Sequence, residues 1–214
     1  MQKKISKMIQ LLERRYPSSK TELIFNTPFQ LLVATILSAQ TTDKTVNKIT
    51  PALFERYKDP SAFAKADIEE LKNAIRGVNY YNTKAKNIKK LAEIIVSRYS
   101  GQIPDTMEEL TKLPGVARKT ANVVLSQGFG KAEGIVVDTH VKRLAERLGL
   151  SRAKTPEKVE EDLMKIIPRE KWISFPFALI LHGRAVCKAK NPLCDICVLN
   201  SLCPYGDKSK CQIS

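Results

Sequence analysis

The stretch of residues 113–125 decides the fold and reads Leu113-Pro114-Gly115-Val116-Ala117-Arg118-Lys119-Thr120-Ala121-Asn122-Val123-Val124-Leu125. We expect a short helix to end near Lys112, because Pro114-Gly115 forces a sharp turn and glycine can adopt the positive φ that such turns need. A second helix is predicted from Gly115 to Gln127. Its first backbone N–H groups would have no partner within the helix, and such groups, at the positive end of a helix, suit a phosphate.

Helical signals extend along nearly the whole chain. Apolar residues recur at helical spacing, and residues suited to helix starts precede these runs: Thr27-Pro28, Thr42, Asp67 with Glu70, Asn82, Asp105, Asp138 and Thr155-Pro156. The run Ile135-Val136-Val137 is the one short β-branched run outside the predicted helices, and it is too short to found a sheet. The sequence therefore predicts an all-α fold of about ten helices.

The charge of the chain indicates a polyanionic partner. Thirty-six Lys and Arg residues face 22 Asp and Glu residues, a net charge of +14 that is spread along the sequence rather than gathered in a tail. Nucleic acid is the first partner that such an excess suggests. A soluble protein that is simply rich in lysine is the plainer alternative.

The chain also lacks the sequence signals of membrane and secreted proteins. No window approaches 18 uncharged apolar residues, and the N-terminus is charged throughout. We expect a cytoplasmic protein with no membrane partner. Its 214 residues allow one large domain or two small ones.

Four of the five cysteines fall within residues 187–203, at Cys187, Cys194, Cys197 and Cys203. Four thiolates at the spacing C-x6-C-x2-C-x5-C can bind either Zn²⁺ or a [4Fe–4S] cluster, and their chemistry alone does not choose between them. Cys211 lies outside this motif and is interpreted as a free thiol.

Taken together, these motifs resemble the endonuclease III family of DNA repair glycosylases, in which residues 106–127 would form a helix-hairpin-helix that grips the DNA backbone. The resemblance continues through Val137-Asp138-Thr139-His140, Leu37-Ser38-Ala39-Gln40-Thr41-Thr42-Asp43, Tyr81-Asn82-Thr83-Lys84-Ala85 and the cysteines. It implies two helical domains. Residues 22–132 would form a six-helix bundle containing the hairpin, and residues 1–21 with 133–214 a discontinuous domain carrying an iron–sulfur loop at 187–203.

The resemblance makes Lys119 the nucleophile and Asp138 its assistant in a bifunctional glycosylase and abasic-site lyase acting on oxidised or otherwise damaged pyrimidines in duplex DNA. Only a neutral amine attacks, so the lysine pKa must fall from about 10.4. A helix start and the adjacent Arg118 favour that fall, whereas a nearby carboxylate opposes it. Without the resemblance, Lys119 would be read as a solvated charge and Asp138 as a helix cap.

By the same resemblance, the four cysteines hold a [4Fe–4S] cluster, and Gln40 inserts into the DNA helix where the target nucleotide has left. Tyr80 stands at a position often occupied by Leu, a departure that permits stacking on bases. The remaining expected DNA contacts are Gly115, Val116, Arg118, Thr120, His140, Arg143, Lys188 and Lys190. A basic run, formed by Lys84, Lys86, Lys89 and Lys90, is either a solvated helix face or a further contact.

The expected partner is damaged double-stranded DNA, bound by a monomer near the nucleoid of a prokaryotic cytoplasm. Two other functions stay open. One is a monofunctional glycosylase for mismatched bases, although the presence of Lys119 argues against it. The other is a non-catalytic DNA-binding protein with a structural zinc site.

Overall fold

The computed structural model describes residues 2–205, and these residues contain eleven α-helices and no β-strand. The all-α prediction is confirmed. Residues Ile135–Val137, the β-branched run, are instead a buried connector without regular structure. The chain divides into two compact units, Glu22–Lys131 and Met1–Thr21 with Ala132–Ser214. We call them the continuous unit and the split unit.

The continuous unit is built around α2, Pro28–Leu37, in which every residue from Phe29 to Leu37 is buried. The helices Asp43–Arg56, Tyr81–Tyr99 and Arg118–Val123 pack on it because it has no charged residue on any face. The other helices of this unit are α3 (Asp43–Arg56), α4 (Pro60–Lys65), α5 (Ile68–Ala74), α6 (Tyr81–Tyr99), α7 (Met107–Thr111) and α8 (Arg118–Val123). This is one helix more than the six expected.

The split unit packs α11, Ser174–Ala185, against both α1, Gln2–Arg15, and α9, Thr139–Arg147. Helix α11 is mostly apolar and largely buried, which makes it the centre of this unit. Helix α10, Pro156–Ile166, lies against α9. Three short 3₁₀ turns complete the unit at Arg169–Lys171, Cys194–Ile196 and Asn200–Leu202.

Most of the predicted helix starts are confirmed by side-chain hydrogen bonds. The cap residues Thr27, Thr42, Asp67, Asp138 and Thr155 each accept a bond from a backbone N–H in the first turn.

Two predicted caps are wrong. Thr106 caps α7 in place of Asp105, since the Asp105 carboxylate pairs with Lys131. Helix α6 starts at Tyr81 and not after Asn82, because Tyr80 turns the chain at φ 58° with no side-chain cap.

The second helix of the hairpin is shorter at its start than predicted. It begins at Arg118 because Gly115 adopts φ 79°, which no helix accommodates. It continues beyond Val123 as a π-helical turn, Val124–Gly128. Among residues 2–205, no helix is both long enough and apolar enough to cross a membrane.

Candidate active site and iron–sulfur loop

The hairpin turn fits only glycine at position 115. Gly115 has φ 79°, and a Cβ built on it would lie 3.0 Å from Nδ2 and 3.2 Å from Cβ of Asn87 on α6. The next residue, Val116, is buried and its N–H bonds the carbonyl of Leu113 at 3.1 Å. Val116 was expected to contact DNA. In the structure its buried side chain and its N–H both stabilise the turn.

Lys119 is the second residue of α8, and its side chain is exposed. Arg118 beside it is also exposed, and Thr120 is half-buried. Ala117, the N-cap residue, supplies no side-chain cap to this helix. The segment after the turn therefore presents two basic side chains, one of them the expected nucleophile, to an incoming ligand.

Asp138 caps α9 in the split unit. Its Oδ1 accepts a hydrogen bond from the N–H of Val141 at 2.8 Å, and the residue is half-buried. The cap fixes the carboxylate against the helix start, so its orientation is set before any substrate binds. Lys119 belongs to the continuous unit and Asp138 to the split unit.

Arg143, an expected phosphate contact, is directed inward. Its guanidinium donates to the carbonyls of Gly183 and Cys187, each at 3.0 Å from Nη2, and lies 3.1 Å from Nδ1 of His140. Burial, as the largest cause, lowers the pKa of His140, against the opposing effect of Asp138. Both side chains therefore have partners within the split unit: the Arg143 guanidinium bonds two backbone carbonyls, and the His140 ring lies against Arg143.

The cysteine loop surrounds its sulfurs with hydrogen-bond donors. Nη1 of Arg147 lies 3.3 Å from Sγ of Cys187, and Nε2 of His182 lies 3.3 Å from Sγ of Cys197. The backbone N–H groups of Leu199 and Asn200 also bond the Cys197 sulfur. Donors of this kind stabilise thiolates that ligate metal.

The thiols also need a positive partner if they are to ionise together. Burial raises the pKa of the Cys197 thiol, and the thiolates of Cys187 and Cys203 raise it further because like charges repel. Cluster iron would supply the missing positive charge. The residues present therefore fit an iron–sulfur cluster.

The described cysteine sulfurs are not arranged around one mononuclear metal position. Within residues 2–205, no three His, Cys, Asp or Glu side chains converge on one metal-ion position. A [4Fe–4S] cluster does not require such convergence, since each cysteine binds a different iron. Cys187, Cys197 and Cys203 are free thiols. Cys211 lies outside the described residues.

The basic residues of the loop, Lys188 and Lys190, are exposed as expected. Their backbone is fixed by Arg147, which donates to the carbonyls of Lys188 at 2.7 Å and Ala189 at 2.9 Å. Arg147 was not identified from the sequence, where only its place as a basic residue at the end of the helix that starts after Asp138 could have drawn attention. It connects α9 to the loop that carries the cluster ligands.

Gln40 and Tyr80 are both exposed, and both have a left-handed backbone, at φ 55° and 58°. The basic run that follows them is only partly a solvated face. Lys84 is buried and donates to the carbonyls of Leu37 and Ala39, and Lys89 donates to the carbonyl of Ala66. The structural role of these two lysines was missed because their partners are distant in sequence.

Comparison with known proteins agrees with this geometry. The model of HhH-GPD superfamily base excision DNA repair proteins matches residues 33–169, and that of the iron–sulfur binding domain of endonuclease III matches residues 187–203. Endonuclease III of Synechocystis sp. is 51% identical over 204 residues, which cover 95% of this chain and 93% of that protein. Endonuclease III of Bacillus subtilis is 46% identical over 194 residues, covering 90% and 88%.

Solved structures match over nearly the full length. A trapped endonuclease III–DNA covalent intermediate superposes with a TM-score of 0.91 at 43% identity, covering 96% of this chain and 97% of that one. A thermostable thymine-DNA glycosylase has a TM-score of 0.88 at 24% identity, covering 97% and 98%, and at this identity it shows the shared fold alone. The chain belongs to the endonuclease III family of the HhH-GPD base excision DNA repair superfamily.

Proposed function

We propose that this chain removes damaged pyrimidines from duplex DNA and then cleaves the strand at the resulting abasic site, with Lys119 as the nucleophile. The observation that carries the proposal is an exposed lysine in the first turn of the helix that follows the glycine turn of the hairpin, in a chain of the endonuclease III family. This lysine makes the chemistry covalent, because an amine can replace the base at C1′.

The reaction uses the lysine amine in two steps. First, the neutral Nζ attacks C1′, the glycosidic bond to the base breaks, and the base leaves with a proton. The sugar ring then opens to give an iminium between Nζ and C1′. Second, loss of a C2′ proton expels the 3′ phosphate by breaking the C3′–O bond, and water releases the lysine from the cleaved product.

Asp138 is assigned the role of moving protons and of stabilising positive charge at the sugar during base loss. Its hydrogen bond to Val141 N–H orients the carboxylate without neutralising it.

The [4Fe–4S] cluster is assigned to Cys187, Cys194, Cys197 and Cys203. When bound, it supplies four iron–thiolate bonds that fix residues 187–203 as a folded loop. The chain's own contribution is the set of N–H donors around the sulfurs and the Arg147 bonds to the loop backbone. Lys188 and Lys190, exposed on that loop, then meet the DNA phosphates.

The two compact units are proposed as the two domains, and the protein is proposed to act as a monomer in the cytoplasm. Contacts to DNA are assigned to Arg118, Thr120, Lys188, Lys190, Gln40 and Tyr80, whose side chains are exposed or half-buried. Gly115 contributes the turn. His140 and Arg143 support the loop and helix from inside the split unit.

Borohydride trapping tests the proposal. Purified protein is mixed with a duplex that contains one abasic site, beside the variant Lys119→Gln. We expect wild type to form a covalent adduct that the variant lacks, because only the amine can form a reducible iminium. Release of a base without an adduct or a strand cut would instead indicate a monofunctional glycosylase. A colourless preparation containing zinc and lacking both activities would indicate a DNA-binding protein only.

A further inference from the structure

Gln40 and Tyr80 share an uncommon backbone conformation. Both have φ between 55° and 58°, a left-handed region that L-residues rarely adopt, and the two exposed side chains lie in separate turns of the continuous unit. Such turns persist only where neighbouring groups hold them. The structure shows which groups do so.

Lys84 holds the turn that contains Gln40. Its Nζ donates to the carbonyls of Leu37 at 2.7 Å and Ala39 at 2.6 Å, and lies 3.4 Å from Oγ1 of Thr41. Leu37 is the last residue of α2, where carbonyls lack partners within the helix and carry the negative end of its dipole. Lys84 is only 6% exposed, and burial lowers its pKa.

Asn79, the residue before Tyr80, holds the same turn from a second point. Its backbone N–H donates to Oγ1 of Thr41 at 3.1 Å, and its side-chain Nδ2 donates to the carbonyl of Gln40 itself. Residues 79 and 84 therefore bind residues 37–41 through five hydrogen bonds. The Gln40 turn and the Tyr80 turn are in this way one connected piece of structure.

We propose that Asn79 and Lys84 are positioning residues that hold Gln40 and Tyr80 as one rigid pair, ready to fill the space left when the target nucleotide is extruded. This inference rests on the proposed function. Extruding a nucleotide costs free energy, because its base must be unstacked and unpaired. Side chains carried on a fixed backbone add less ordering cost to that step than side chains on loose turns, which would have to be ordered together with their backbone as the DNA opens.

The two activities of the enzyme should depend differently on this pair. Base excision requires a stacked, paired base to leave the helix. Cleavage at an abasic site made in advance requires no base to leave. Loosening the pair should therefore slow excision much more than it slows abasic-site cleavage, whereas a general loss of folding or DNA binding would slow both alike.

The variants are Asn79→Asp, which keeps the shape but replaces the Nδ2 donor with an oxygen, and Lys84→Met, which removes the buried ammonium. Lys86→Met is the matched control, because it removes one lysine charge from the exposed face two residues further along α6. If Lys84→Met does not fold, as its thermal melt would show, Asn79→Asp on the exposed turn carries the test alone.

The measurement is single-turnover excision of 5,6-dihydrothymine, single-turnover cleavage of an abasic-site duplex, and the fluorescence of 2-aminopurine placed beside the lesion. We expect Asn79→Asp and Lys84→Met to slow excision and the fluorescence change about tenfold, with abasic-site cleavage within about twofold of wild type. Lys86→Met should leave the ratio of the two activities unchanged.

Equal slowing of both activities, or no slowing of excision, would overturn the positioning role while leaving the proposed function intact. Wild-type protein that fails on both substrates would instead show that the proposed function is wrong, and the inference would fail with it. Wild-type activity in the same series thus separates the two failures.

Discussion

The hydroxyl of Tyr16 lies 3.1 Å from Nδ1 of His182, although 166 residues separate them in the chain. Nε2 of the same ring lies 3.3 Å from the sulfur of Cys197. Burial lowers the pKa of His182 to about 4, so the ring is neutral near pH 7. A thiolate that binds iron can only accept a hydrogen bond, so Nε2 carries the ring proton and Nδ1 accepts from Tyr16.

Tyr16→Phe should therefore loosen the iron–sulfur loop by removing one oxygen. A single hydrogen bond is worth about 1 kcal/mol, so the melting temperature should fall by about 2–4 °C. A chelator should remove the cluster several-fold faster from this variant than from wild type, as measured by the decay of the visible absorption of the cluster. Tyr99→Phe is the control, since it removes a tyrosine hydroxyl that bonds Glu109 in the continuous unit. Equal rates of bleaching in the two variants would show that the hydrogen bond from Tyr16 to His182 does not stabilise the cluster loop.

Asp138 can be tested separately as a cap and as a catalytic group. Asparagine caps helices about as well as aspartate, so Asp138→Asn should keep stability within about 0.5 kcal/mol, whereas Asp138→Ala should lose about 1 kcal/mol. Both variants should slow base excision about a hundredfold or more, because neither can transfer the proton. Thermal melts and single-turnover rates give the two quantities.

The control for Asp138 is Thr155→Ala, which removes the side-chain cap of α10 in the same unit. It should lower stability by a similar amount, about 1 kcal/mol, and leave the excision rate unchanged. An Asp138→Asn enzyme with the wild-type rate would reduce Asp138 to its capping role.

Local signals in the sequence predicted much of this fold. Thr27-Pro28, Asp138 and Thr155-Pro156 start helices as expected because a cap acts within its own first turn, so a few adjacent residues contain all the information. The family resemblance likewise rested on short contiguous strings. What these strings could not show is which charged side chains turn inward.

Lys84 and Arg143 illustrate that limit. Lys84 reads as one member of a basic helix face, yet its ammonium is buried against carbonyls up to 47 residues earlier in the chain. Arg143 reads as a phosphate contact, yet its partner Cys187 is 44 residues later. Such roles depend on how distant segments pack, and one sequence without its fold does not record which carbonyls lack partners.

Replacing a cluster ligand should remove the iron, whereas replacing the cysteine outside the motif should leave the iron bound. We expect Cys197→Ala to lose most of its iron and its visible absorption, because the sulfur that His182 and two backbone N–H groups bond is gone. Cys211→Ala should keep both. Iron analysis and an absorption spectrum check the result, and full iron in the Cys197 variant would contradict the ligand assignment.

The glycine of the hairpin turn permits a test that separates backbone conformation from packing. Gly115 and Gly101 have nearly equal φ values, 79° and 81°, but a Cβ on Gly101 would contact nothing within 4 Å. Gly101→Ala should therefore lower the free energy of unfolding by about 1 kcal/mol, which is the cost of placing alanine at a positive φ. Gly115→Ala should lose more, because its Cβ would crowd the side chain of Asn87.

Gly115→Ala should also bind DNA more weakly than Gly101→Ala, because residue 115 lies in the turn of the hairpin that is expected to contact the DNA backbone. Unfolding by denaturant and titration with a duplex at fixed salt measure the two effects. Adding Asn87→Ala to the Gly115 variant should remove the contacts with Nδ2 and Cγ but keep the 3.2 Å contact with Cβ, so it should recover part of the excess loss of stability. If Gly115→Ala and Gly101→Ala lose equal stability and bind DNA equally, then the contact between the hairpin turn and α6 does not determine the geometry of the turn.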